Sequence, residues 1–201
     1  DVYKRQIVSF LRPVYLIPWI IPPVSSSILF RTLLDANTGP ITQMIKFITG
    51  KSVMILDQAD TALIAVIVHN FWRSFPFAML FLAAGLTMIS KDVYEAAIID
   101  GASKIKQFFY ITLPLVKNHL FIVVLMITNW TLQDSESCYS LTKGGPGTAT
   151  EMVAVRLFKD SFVYFEINTG AVIGIVMMCI SIIFAVIYYW LTKAKEMESY
   201  E

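Results

Sequence analysis

From Gly170 to Leu191 the sequence carries no charge, and about 20 consecutive apolar residues are what a helix needs to cross a bilayer. The stretch closes on Tyr188, Tyr189 and Trp190 before Lys193 and Lys195, an interfacial aromatic belt followed by a basic tail. Three further stretches reach spanning length. Leu115 to Gln133 is interrupted by Lys117 and His119 near its start, and Thr61 to Leu86 carries His69, Asn70 and Arg73 in its interior. Pro13 to Leu34 is the least regular, because Pro13, Pro18, Pro22 and Pro23 remove backbone donors and kink or unwind it. Such breaks survive at membrane depth only against protein or a water-filled cavity. The expected fold class is an all-α integral membrane protein with four transmembrane helices.

Composition points the same way. Hydrophobic residues make up 56% of the 201 and charged ones 15%, against about 25% charged in soluble domains. The 16 Lys and Arg nearly cancel the 15 Asp and Glu, leaving a net charge of +1, so no basic field exists to attract nucleic acid or anionic lipid. Cys138 and Cys179 cannot make a disulfide framework, and no His/Cys cluster has metal-ligand spacing. Asp1-Val-Tyr-Lys-Arg-Gln6 is what the end of a transposase sequencing adapter encodes in frame, so residues 1–6 are expected to be a scar and stand outside the fold reasoning.

Polar stretches at about 35–60, 89–114 and 134–169 join the four spans. Cations do not orient them. Arg12, Lys91, Lys104, Lys106, Lys117, Lys193 and Lys195 make seven on one side, and Arg31, Lys46, Lys51, Lys143, Arg156 and Lys159 make six on the other.

Polar groups inside the spans are the first functional signal. An arginine near a span's centre costs about 2.5–3.5 kcal/mol on insertion scales, so Arg73 is expected to face protein or a water-filled cavity. Asn70, Arg73, Ser74 and Phe77 fall at i, i+3, i+4 and i+7, one helix face, and Pro76 frees the carbonyl of Trp72. Asn129, Trp130, Thr131, Gln133 and Asp134 cluster at the far end of the next span. Together the two clusters offer an aromatic plate, planar amides, hydroxyls and charges. Inter-helix hydrogen bonding or an interfacial anchor is the competing account. Arg73 has two candidate partners, Asp134 and an anionic substrate group.

The middle stretch is the second signal. Asp92 to Ile99 is good helix-former sequence, with Ser90 placed to cap it and Asp92 and Glu95 near its positive end. Asp100-Gly101 stops that helix, since glycine supplies the left-handed conformation a helix end favours. Ser103 is placed to cap a second short helix with Ile105, Phe108 and Phe109 on its apolar face, and Pro114 opens the next span. The expectation is a helix-turn-helix at the membrane surface; a solvated loop with an amphipathic interfacial helix is the plainer alternative.

Glu95-Ala96-Ala97, three residues, Gly101, nine residues, then Ile111-Thr112-Leu113-Pro114 resembles the EAA loop of binding-protein-dependent ABC importer permeases. Trp72 with Pro76-Phe77, Ala84-Gly85-Leu86 and Leu141-Thr-Lys-Gly-Gly-Pro146 with Thr150-Glu151 are similar to its carbohydrate-uptake branch, of the maltose and glycerol-3-phosphate permease type. The resemblance covers residues 7–201. Ser90 departs from it, standing where many relatives have proline, which implies a looser start to the loop.

Several expectations follow from the resemblance. The family's type I core has six spans with both ends cytoplasmic, so residues 7–201 would be its last four, with the first two missing. The loop at about 89–114 would be a cytoplasmic coupling helix docked in a cleft of a cassette ATPase dimer. There Glu95 is the charged contact, Ala96 and Ala97 allow close approach, and Asp100 and Gly101 make the turn. The two polar clusters would line the pathway for a sugar, shared with a second permease subunit and fed by an extracytoplasmic sugar-binding protein, which the Thr142–Pro146 segment would meet unless it is a plain turn. ATP and Mg would belong to the partner ATPase. No G-x-x-x-x-G-K-[ST] occurs in the sequence, so no cofactor is expected on this subunit and no enzyme activity of its own. The location would be a bacterial or archaeal plasma (inner) membrane, crossed several times. The rival classes are an ion-coupled secondary transporter using Arg73, His69 and Asp134, and a non-transporting membrane scaffold.

Overall fold

The structure, a computed structural model, describes residues 14–198, with side chains to residue 190. Residues 1–6, Arg12 and Pro13 lie outside the described residues, as do the side chains of Lys193 and Lys195. The regular structure among the described residues is all helical, with no strand.

Three helical stretches are long and apolar enough to cross a membrane: Ala59–Thr87, Lys104–Gln133 and Ile167–Trp190. The Pro13–Leu34 stretch is a sharper break than a kinked span. Helices α1 (Val14–Ile20) and α2 (Pro23–Leu33) meet at 110°, because the Pro22-Pro23 pair removes two successive donors from the ladder. Pro23 then serves α2 as its first residue, where the missing N–H costs nothing.

The connecting stretches hold more structure than their polarity suggests. Residues 35–60 contain α3 (Pro40–Thr49), closed by Gly50 at φ +71. Helix α4 is Ala59–Thr87, and α5 is Lys91–Ile99. Helix α6 (Lys104–Gln107), a π-helical turn over Phe108–Thr112 and α7 (Leu113–Gln133) run on without a break, so the span begins ten residues before Pro114. The widened turn sits directly before the proline, whose ring would otherwise meet the carbonyl four residues back. Residues 134–169 hold α8 (Ser135–Thr142), α9 (Val153–Phe158), a second π-helical turn over Lys159–Val163 and the start of α10 (Ile167–Glu198).

The chain divides into two compact units, Asp1–Pro76 with Trp130–Ile180, and Phe77–Asn129 with Ser181–Glu201. In the first, Val66, Cys138, Leu141 and Val155 form a buried cluster with Phe30, Tyr139 and Met152 packed against it. The buried stripe of α4, Ala62, Ala65, Val66, His69 and Pro76, recurs at helical spacing. Its opposite face, Ile64, Ile67, Val68 and Phe71, is exposed, as befits a surface made for lipid. In the second unit a Cβ on Gly85 would lie 2.7 Å from the His119 ring, so only glycine lets α4 and α7 approach there. Phe81 packs between Phe77 and His119.

Candidate functional site

Two arrangements gather the residues singled out in the sequence, one in each unit. The first is a cavity of about 330 Å³ lined by Trp19, Pro23, Asn70, Arg73, Ser74, Trp130, Thr131, Gln133 and Asp134, with polar groups set among apolar surface. Seven of the nine residues expected to form a pathway therefore meet at one place. Phe77 and Asn129 do not line it; Phe77 instead stacks on Phe81 at 5.8 Å. Trp19 and Pro23 were not legible as site residues, because the bend between α1 and α2 decides where they go.

Asp134 organises this cavity. Its Oδ1 accepts from the Ser137 backbone N–H at 2.9 Å, capping α8, and its Oδ2 lies 3.7 Å from Arg73 Nη1. The same nitrogen donates to Ser137 Oγ at 2.8 Å. Asp134, one of the two partners considered for Arg73, lies beside it, and Ser137 is an addition. Its only sequence signal was the Asp134-x-x-Ser137 capping spacing. Arg73 Nε and Asp134 Oδ2 are buried without a hydrogen-bond partner among the described residues, although Oδ2 keeps the ionic approach of Arg73 Nη1. Asn70 Nδ2 donates to the Val66 carbonyl at 3.3 Å. His69 is fully buried away from this role, its Nε2 3.0 Å from Ser26 Oγ and 3.4 Å from Ser27 Oγ, with Phe30 edge-on at 4.9 Å.

The second arrangement is the α5–α6 hairpin. Ser90 caps α5, its Oγ accepting from the Asp92 N–H at 3.2 Å, so the departure from proline supplies a cap instead of loosening the loop. At the other end Ala102 N–H donates to the Ala97 carbonyl and Gly101 N–H to the Ile98 carbonyl, the paired bonds of a Schellman turn. Gly101 sits at φ +73 with nothing within 4 Å of where a Cβ would be, so backbone conformation, not crowding, demands glycine there. Ser103 caps α6 through the Lys106 N–H. Tyr94 Oη and Thr112 Oγ1, 2.8 Å apart, tie α5 to the π-helical turn. Glu95, Ala96, Asp100 and Gly101 are exposed, while Ala97 is buried under the turn; Ile105, Phe108 and Phe109 are exposed apolar groups beside them.

The Thr142–Pro146 segment is a self-bonded turn. Lys143 and Gly144 both have positive φ, Thr150 Oγ1 donates to the Gly145 carbonyl at 2.8 Å, and the Thr142 and Thr150 hydroxyls lie 2.6 Å apart. Beside it, Glu151 binds Lys159 Nζ and Arg156 Nη1 at 3.3 Å, and Arg156 Nε donates to buried Asp160 at 2.9 Å. The Lys159 hydrogen bond holds the Glu151 carboxyl below its ordinary range and raises the Lys159 ammonium above its own.

Long apolar helices, a cavity beside a broken span and a capped, exposed hairpin between two spans are those of a polytopic membrane protein. Residues 2–196 match the family of binding-protein-dependent transport system inner membrane components, and the chain belongs to it. It is 32% identical over 178 residues to the trehalose/maltose transport system permease protein MalF of Thermococcus litoralis, covering 89% of this chain and 60% of that one. It is 28% identical over 181 residues to the sulfoquinovosyl glycerol transport system permease protein SmoG of Agrobacterium fabrum, covering 90% and 59%. The chain thus spans about three fifths of the length of these relatives. Its fold is that of a chain in the crystal structure of a bacterial ABC transporter involved in the import of the acidic polysaccharide alginate, with a TM-score of 0.84 at 19% identity over 96% of this chain and 68% of the other.

Proposed function

We propose that this chain is the transmembrane permease subunit of an ATP-driven carbohydrate importer in the plasma (inner) membrane. The observation that carries the proposal is the α5–α6 hairpin, where a Ser90 cap and a Gly101 Schellman turn present Glu95 and Ala96 to solvent. Small residues beside one carboxylate suit a helix that enters a groove and is held in register by a charge. The groove is assigned to a cassette ATPase dimer that binds ATP and Mg, so this subunit has no hydrolytic site of its own. A second permease completes the pathway, and an extracytoplasmic binding protein supplies the sugar.

The cavity supports the carbohydrate class. Two indoles, two amides, two hydroxyls and one charge pair are the chemistry of a polyol site, and the named relatives carry trehalose or maltose and sulfoquinovosyl glycerol. Burial of His69 between two serine hydroxyls speaks against a proton relay through it, as the secondary-transporter reading requires.

The test is reconstitution with partner subunits and binding protein in sealed vesicles. Uptake should require ATP and binding protein and survive a protonophore. Gly101→Val places a β-branched residue at positive φ, at a cost of about 1–2 kcal/mol or more, and should cut ATP-coupled uptake by roughly tenfold. Unaltered uptake by this variant, or uptake driven by an ion gradient without ATP, would refute the assignment.

A further inference from the structure

Helix α3 is amphipathic and its apolar face is bare. Ile41, Met44, Ile45 and Ile48 recur at i, i+3, i+4 and i+7 with Phe47 beside them. Met44, Phe47 and Ile48 are 65%, 92% and 69% exposed. We propose that α3 is an in-plane membrane anchor, its Ile41–Met44–Phe47–Ile48 face seated in the headgroup–acyl boundary of an anionic bilayer.

Three observations select the bilayer over a soluble partner. The helix cannot leave the level at which α2 ends, because the connection between them is folded tightly on itself. Asp35 Oδ1 accepts from the Asn37 and Thr38 N–H groups, Gly39 N–H donates to the Asp35 carbonyl, and buried Thr42 donates to the Asp35 and Gly39 carbonyls. A Cβ at Gly39 would lie 2.5 Å from the Asp35 carbonyl oxygen, so this turn admits only glycine. The far end is tethered as well, since α4 begins at Ala59.

Charge is the second observation. The chain as a whole carries no basic field, but locally Pro40 to Thr49 contains no acidic residue, and Lys46 lies on the polar side with Lys51 just beyond the helix, a cationic edge that an anionic surface favours. The third is that the ends are built to hold a short helix without a protein partner: Pro40 opens it and Gly50 closes it in the left-handed conformation. A depth of about 5–10 Å below the headgroups follows for the apolar face. This inference requires only that α2 and α4 enter a membrane, not that the chain carries sugar.

The test uses the assembled complex in phosphatidylcholine vesicles containing phosphatidylglycerol. In a Cys179→Ser background, with Cys138 left buried, Ile41, Gln43, Met44, Lys46, Phe47 and Ile48 are replaced singly by cysteine and spin-labelled. Labels at 41, 44, 47 and 48 should relax severalfold more with oxygen than with a water-soluble nickel chelate, and labels at 43 and 46 the reverse. Chelate access at every position would overturn the proposal by showing the face in water. Low access to both reagents at 44 and 47 would overturn it by showing a protein, whether the second permease or another copy, covering the face.

Discussion

Arg73, Asp134 and Ser137 show how a costly intramembrane charge is accommodated. Removing one member of such a pair leaves the other charge stranded, whereas altering both is gentler. Asp134 also caps α8, which separates two substitutions that would otherwise look alike. Asp134→Asn keeps the cap and loses the charge; Asp134→Ala loses both and should be less stable by a further ~1 kcal/mol. Thermal unfolding in detergent reads the difference, and a cycle with Arg73→Ala should show a coupling of about 0.5–3 kcal/mol. A null coupling would mean that the 3.7 Å approach carries no energy. Glu151 and Lys159 yield a pH prediction. The Glu151 carboxyl is lowered from 4.5, first by the Lys159 hydrogen bond, so its contribution to stability is present above pH 4.5 and lost as pH falls through its lower folded value. The Lys159 ammonium is raised from 10.5 by the same bond, so its contribution is present below pH 10.5 and lost above it. The contribution of this pair should be level between these limits, and Glu151→Gln should make the acid-side fall in a melting series shallower, the lowered Asp35 carboxyl still contributing to it.

At the scale of elements, helix ends and close approaches decide what substitutions do. The Ser90 backbone at φ −61 and ψ 142 already has the φ a proline adopts. Ser90→Pro should therefore trade the lost cap for a stiffer backbone and stay near neutral, while Ser90→Ala loses the cap alone and should cost about 1 kcal/mol. Equal melting temperatures for Ser90→Ala and the parent would show that the cap contributes nothing. Gly85 makes the sharper case: its missing Cβ is filled by His119, and Gly85→Leu should lower the melting temperature far more than a leucine on a lipid-facing position such as Ile64. Positions of this kind were visible only as an Ala84-Gly85-Leu86 resemblance, because nothing in the sequence says which residue lies across from a glycine.

For the whole molecule, the apolar surface is the dominant physical fact. Little of the apolar surface of the Lys104–Gln133 and Ile167–Trp190 stretches is buried within the described residues, as a surface facing lipid allows. The chain should stay in the membrane fraction through alkaline carbonate washing and be released only by detergent; release by carbonate would contradict spanning. The sequence was sufficient for the helical class, three of the four expected spans, the caps at Ser90 and Ser103, and the turn at Gly101, because length, periodicity and local backbone preference act within a few residues. It also placed Arg73 and Asp134 as candidate partners. The tertiary structure alone decided that Trp19 and Pro23 join the cavity. It also decided that residues 134–169 build the core around Cys138, Leu141 and Val155 instead of remaining a polar loop, and that α3 is left with an uncovered apolar face. Those outcomes depend on the 110° break at Pro22-Pro23 and on contacts between residues far apart in the chain, which no local pattern encodes.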